Sequence, residues 1–169
     1  MTLTLTSPDG EEGYPGKLDC CVKFELEENA LVLHYQATAD RDTLCNLTNH
    51  SYFNLAGHSS GRVLDQTVQI FAERYTPSDA ESIPFGAVEP VANTPMDMRT
   101  PTPIGEHIHE DFPQLIYAKG YDHNYVIDGN PGSLRPVAMA CSAATGITLR
   151  AETTLPGVHF YTANYLPEG

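Results

Sequence analysis

Tryptophan is absent from this chain, basic residues are scarce, and no apolar run is long. Nine Lys and Arg against 22 Asp and Glu leave a formal charge of −13 over 169 residues. That balance argues against phosphate backbones and anionic membranes as partners, so neither nucleic acid nor a bilayer surface is expected. No stretch approaches the roughly 18 apolar residues of a membrane span. Met1–Thr6 has neither the basic start nor the apolar centre of a secretory leader, and a cytoplasmic location is the expectation. Cysteine is also sparse: Cys20, Cys21, Cys45 and Cys141 have no metal-knuckle or redox spacing, which suits reduced, structural thiols. Two N-glycosylation matches, Asn46-Leu47-Thr48 and Asn49-His50-Ser51, have no expected route to modification.

A helical period of 3.6 is missing from every long window, and alternation takes its place. Leu18, Cys20, Val22, Phe24 and Leu26 alternate with Asp19, Cys21, Lys23, Glu25 and Glu27. After Glu28-Asn29, Leu31, Leu33, Tyr35 and Ala37 alternate with Val32, His34, Gln36 and Thr38, which predicts a hairpin. Further strands are expected at Thr67–Ala72, Tyr125–Asp128, Val137–Cys141, Ile147–Thr153 and His159–Leu166, with Ala144-Thr145-Gly146 as a tight turn. Thirteen prolines and thirteen glycines punctuate the connections. The economical architecture is all-β: an antiparallel β-sandwich forming one domain over residues 1–169. The Pro-rich and acidic stretch Tyr75–Ala118 is expected to run over the surface.

The run Asn46–Gly57 concentrates functional side chains. As a strand it places Asn46, Thr48, His50, Tyr52 and Asn54 on one face, with Cys45, Leu47, Phe53 and Leu55 on the other. Amides, hydroxyls and an imidazole beside an aromatic ring suit a polyhydroxylated ligand. Spacing alone favours the solvated face of an ordinary sheet, since half-exposed strands routinely alternate apolar with polar.

Three other stretches accompany this run: Thr6-Ser7-Pro8-Asp9-Gly10-Glu11-Glu12-Gly13-Tyr14-Pro15-Gly16, Gly120-Tyr121-Asp122-His123-Asn124-Tyr125, and Pro156-Gly157-Val158-His159-Phe160-Tyr161-Thr162-Ala163-Asn164. In their order and content the four resemble motifs of the aldose 1-epimerase (galactose mutarotase) family, across essentially the whole chain. The resemblance implies a hexose isomerase on a galactose mutarotase-like supersandwich. It covers the family's central portion, so the sandwich is expected to be incomplete. The family's upstream arginine and histidine and its downstream general-base glutamate fall outside residues 1–169.

Several roles follow from the resemblance. His50 would be the catalytic acid, and Asp122 would accept sugar hydroxyls. Asn49, Tyr52 and His159 would complete the sugar contacts, His159 standing where the family commonly has glutamine. No cofactor is implied, and the partner is a monosaccharide. Glu152 and Glu168 are conceivable stand-in bases without motif support. A non-enzymatic carbohydrate-binding module is the alternative reading. Unpaired strand edges of an incomplete sandwich would favour homo-oligomers.

The segment Glu106-His107-Ile108-His109-Glu110-Asp111 invites a metal reading, since His107 and His109 would share a strand face. Glu110 follows the second histidine at once rather than several residues later. The expectation is a solvated loop without a metal.

Overall fold

The structure, a computed structural model, describes residues 1–166. Its strands lie in three antiparallel sheets, as the alternation predicts. The chain divides into two compact units, Met1–Ser51 and Tyr52–Gly169.

The first unit is a three-stranded sheet in the order β1-β2-β3, with β1 at Thr2–Ser7, β2 at Leu18–Glu27 and β3 at Ala30–Ala39. The predicted hairpin is present, with Glu27 paired to Ala30 and Glu28 at a φ of 47°. Strand β1 escaped the sequence reading, although Thr and Leu alternate along it; it pairs with β2 from Thr2↔Lys23 to Ser7↔Leu18. The Asp9–Gly16 loop folds on itself, the Gly10 N–H donating to the Tyr14 carbonyl and the Gly16 N–H to Asp9 Oδ1. Among the residues of this unit only Gly16 is buried. The apolar side of β2 is half-buried at Leu18, Cys20, Val22 and Phe24.

The second unit holds two four-stranded sheets. One runs β10-β9-β4-β7, from β4 (Thr67–Ile70), β7 (Thr102–Pro103), β9 (Arg135–Cys141) and β10 (Thr148–Thr153). The other runs β11-β8-β5-β6, from β5 (Arg74–Thr76), β6 (Glu89–Pro90), β8 (Asp122–Val126) and β11 (Gly157–Tyr161). Both contribute to one core: Val68 and Ile70 of β4 and Val137 of β9 join Tyr75 of β5 and Tyr125 of β8. Two sheets that share a core in this way make a sandwich. The expected turn after β9 closes with the Gly146 N–H on the Ser142 carbonyl.

Residues 75–118 depart from the expected surface excursion. Val91, Met96, Met98, Ile104, Ile108 and Leu115 are all in the core. Two tyrosine hydroxyls hold the segment down, Tyr121 donating to the Pro95 carbonyl at 2.9 Å and Tyr125 to the Met96 carbonyl at 3.0 Å. Its apolar residues follow neither a 2 nor a 3.6 period, so composition hid their burial. Two short helices lie here, α1 at Ile104–His107 and α2 at Pro113–Ala118. His107 therefore ends a helical turn instead of sharing a strand face with His109, and its Nδ1 meets Glu110 Oε1 at 2.5 Å. No group of three or more metal-ligating side chains occurs among the described residues.

Candidate functional site

The polar face of β8 and β11 is built by strict register. Asp122 faces Tyr161 and Asn124 faces His159, so these four side chains share one side of the sheet. His123 and Tyr125 point the other way with Val158 and Phe160, into or against the core. Alternation along the Gly120–Tyr125 and Pro156–Asn164 motifs produces this division. Directly opposite residues are not the strongest contact on this face. The diagonal pair is: His159 Nε2 lies 2.6 Å from Asp122 Oδ1, with the imidazole 55% and the carboxylate 24% exposed.

Two motif glycines make room for this arrangement. A Cβ at Gly157 would collide with the Asn124 amide oxygen, which occupies the space over the start of β11. A Cβ at Gly120 would come within 2.5 Å of Asn164 Oδ1, and Gly120 has a φ of +143° that side-chain-bearing residues rarely adopt. Asn164 donates to the carbonyls of Ala118 and Tyr121, both at 2.9 Å, and Thr162 Oγ1 donates to Asn164 Oδ1 at 2.6 Å. Thr162 and Asn164 thus fix the start of β8. Their motif gave a signal for them; an anchoring role was not read from it.

Beneath Asp122 lies His123, 1% exposed. Its Nδ1 accepts the Asp122 backbone N–H at 3.0 Å, which places its ring proton on Nε2, a buried atom with no partner among the described residues. Burial holds this imidazole neutral and lowers its pKa to about 4, against a smaller opposing pull from Asp122. Tyr75 packs edge-on against it, and burial first, then Glu89, raises the Tyr75 hydroxyl to about 12.

Tyr52 reaches the same unit's polar face through Tyr161, ring edge to ring face, with centroids 6.0 Å apart. The structure therefore brings together three of the predicted sugar contacts: Asp122 and His159 directly, and Tyr52 by way of Tyr161. Asn49 and His50 belong to the first unit, and both are exposed.

The strand expected over Asn46–Gly57 does not form. Residues 43–54 have no regular secondary structure, and Phe53, assigned to a core face, is 58% exposed. The cause is local competition for backbone donors. Asn49 Oδ1 accepts the Ser51 N–H at 3.1 Å, and Asn54 Oδ1 accepts the Ala56 N–H at 3.1 Å and the Gln66 amide at 2.8 Å. Asn46 instead lines a hollow of about 470 Å³ in the first unit, with Ser7, Tyr14, Thr43 and Cys45. Of the conceivable bases, Glu152 is paired with Arg150 at 2.6 Å in the other sheet of the second unit, and Glu168 lies outside the described residues.

Comparison with known proteins fits this geometry. The family model for aldose 1-epimerase matches residues 1–169. The chain is 45% identical over 166 residues to galactose mutarotase of Homo sapiens, covering 98% of this chain and 47% of that protein. It is 36% identical over 167 residues to aldose 1-epimerase of Escherichia coli strain K12, covering 98% and 48%. Among solved structures, a GalM/aldose epimerase homologue from C. elegans superimposes with a TM-score of 0.85 at 25% identity, over 98% of this chain and 49% of that one. Galactose 1-epimerase from Lactobacillus acidophilus NCFM gives 0.74 at 35% identity, over 83% and 40%. The chain belongs to the aldose 1-epimerase family. It spans about half the length of the curated relatives it matches.

Proposed function

We propose that this chain carries aldose 1-epimerase chemistry, interconverting the α and β anomers of a hexose such as galactose or glucose. The observation that carries the reading is the carboxylate–imidazole–amide face of Asp122, His159 and Asn124, held by family motifs. Anomer exchange takes a proton from the anomeric hydroxyl and gives one to the ring oxygen, so that the ring opens, rotates and closes. His50 is the proposed acid, because an imidazole can both donate and accept a proton. Asp122 is proposed to accept sugar hydroxyls, with Asn49, Tyr52 and His159 as further contacts. No cofactor enters this scheme.

Polarimetry tests the reading: α-D-galactose should mutarotate faster with protein than in buffer, and His50→Asn should lower the enhancement by about 10²-fold or more. Equal rates with and without protein would remove the enzymatic reading. Saturable hexose binding without acceleration would favour the carbohydrate-binding module.

The cytoplasm is the proposed compartment, supported by the absence of any disulfide among the four cysteines. No helix among the described residues is long and apolar enough to cross a membrane. Self-association is proposed through the first unit, where β1 carries no charged residue and Leu3 and Leu5 are more than half exposed. Light scattering at increasing concentration should show a rising mass; a constant monomer mass would refute it.

A further inference from the structure

Strand β8 begins where its ladder to β5 has already stopped. Thr76 pairs with Asn124, but Ser78, two residues further along, has its N–H and its carbonyl engaged by the buried side-chain amide of Gln114, at 2.8 and 2.9 Å. Where β8 meets the end of β11, the Tyr121 carbonyl accepts the Thr162 N–H, so in an antiparallel ladder the backbone groups of the next residue, Asp122, face away from β11. The Asp122 N–H therefore lies beyond both ladders, and His123 Nδ1 accepts it from within the core at 3.0 Å. This acceptor is held at a cost. Its ring is 1% exposed, and the proton left on Nε2 meets no partner among the described residues. A buried donor left unpaired costs about 1–3 kcal/mol, which an apolar side chain at the same position would avoid. Packing alone does not call for an imidazole here, since Tyr75 contacts it edge-on as it could contact a phenyl ring. What imidazole has and phenyl lacks is the lone pair on Nδ1.

We propose that His123 is a positioning residue for the sugar-binding carboxylate, its Nδ1 fixing the Asp122 peptide from the core side so that the carboxylate is presented on the polar face; this rests on the aldose 1-epimerase reading above. Asp122 needs such a tether because it is the first residue of β8 and follows the turn at Gly120, whose φ is +143°. Thr162 and Asn164 hold the Tyr121 backbone, and the bond to His123 holds the next peptide group. Two backbone dihedrals set where a side chain points, so a fixed N–H restricts the direction of the Asp122 Cβ. That direction is the side shared with Asn124 and His159. The 2.6 Å contact of Asp122 Oδ1 with His159 Nε2 then depends on the histidine beneath the sheet as well as on the one upon it. His123 itself touches no substrate in this scheme.

Two variants of the whole chain separate the acceptor from the packing. His123→Phe keeps a ring in the core and loses the acceptor, whereas His123→Asn loses the ring and keeps an oxygen at the δ position that can accept the same N–H. His123→Phe should weaken galactose binding about tenfold, read by NMR titration, and His123→Asn should stay within about twofold of the unsubstituted chain. The His159 ring signals should follow the same order, moving in His123→Phe and holding their place in His123→Asn. A role in packing alone gives the opposite order. His123→Asn binding galactose no better than His123→Phe would overturn the proposal while leaving the epimerase reading standing. Neither binding nor acceleration by the unsubstituted chain would overturn both. A readout that needs no variant is the ¹⁵N–¹⁵N coupling across the hydrogen bond from the Asp122 amide to His123 Nδ1. It should be resolved at neutral pH in the unsubstituted protein; a His123 ring found protonated on Nδ1, with no such coupling, would end the proposal.

Discussion

The sheet of the first unit and the sheets of the second are built from the same alternation, yet they bury different amounts. In β4 the inward residues Val68 and Ile70 are 7% and 1% exposed, whereas the corresponding side of β2 is only half-buried. The difference lies in what covers each face. The second unit has two sheets over one core and a connecting segment that adds Val91, Met96, Met98 and Leu115 to it. The first has a single sheet, and a lone sheet cannot bury both edges and a face by itself. Periodicity tells which side of a strand is apolar, not whether anything closes over it. The candidate polar face depends on that cover: Asp122 and His159 hold their geometry because His123, Tyr125 and Phe160 are pinned behind them.

The sharpest contrast is expected from truncating one apolar side chain in each unit. Tyr125→Ala should cost about 3–5 kcal/mol, through lost burial, a cavity and the lost hydroxyl bond to Met96. Val22→Ala on β2 should cost about 1 kcal/mol, since that side chain is only half-buried. Urea unfolding of both variants measures the pair. Equal losses would show that the face of β2 is covered in solution as fully as the core of the second unit.

A second difference is titration. His123 has a folded pKa of about 4 against 6.5 for an unburied imidazole. The unfolded chain therefore binds a proton first as pH falls, and the stability is fully present above pH 6.5 and lost progressively down to pH 4. The full loss is about 3 kcal/mol. His123→Phe should flatten the stability profile between pH 6.5 and 4, read from urea midpoints. If wild type shows no slope there, the imidazole is not buried in the neutral form.

How far the sequence revealed this molecule follows the same line. The hairpin of β2 and β3 and the strands β4, β9, β10 and β11 were all legible, because each depends on a period of two. Three features were not. Strand β1 offers only a six-residue Thr–Leu alternation. The burial of Met96 and Met98 depends on tyrosine hydroxyls of residues 121 and 125, far along the chain. The irregular path around His50 comes from asparagine side chains that capture neighbouring backbone groups, which alternation does not register. The Asp122–His159 pair was half-visible: both residues stood in motifs, but their diagonal contact needed the register of two strands.

A smaller effect is expected where the polar face meets its backbone. Gly157→Ala pushes a methyl group against the Asn124 amide, and the adjustment should cost about 1–3 kcal/mol. Because Asn124 is opposite His159, the Asn124 side-chain NMR signals should move as well. A variant of native stability with unmoved signals would show that the start of β11 has slack.

The smallest effect should come from the charges on the first unit. Lys17 pairs with Asp19 at 2.7 Å and Lys23 with Glu25 at 2.5 Å, but Lys17, Asp19 and Lys23 are exposed and Glu25 is only half-buried. Hydrogen bonds from Lys17 and Thr6 hold the Asp19 carboxyl below its ordinary range, yet solvent screens such pairs and ordering two long side chains offsets the attraction. Lys17→Ala should leave the urea midpoint unchanged within error, in low salt and in high. If it lowered the midpoint as much as Val22→Ala, and added salt did the same to the unsubstituted chain, the sheet would be held by its charged side. The contrast between the units would then be one of mechanism, apolar closure in one and ionic bracing in the other, and the half-buried face of β2 would be a surface left for something else to cover.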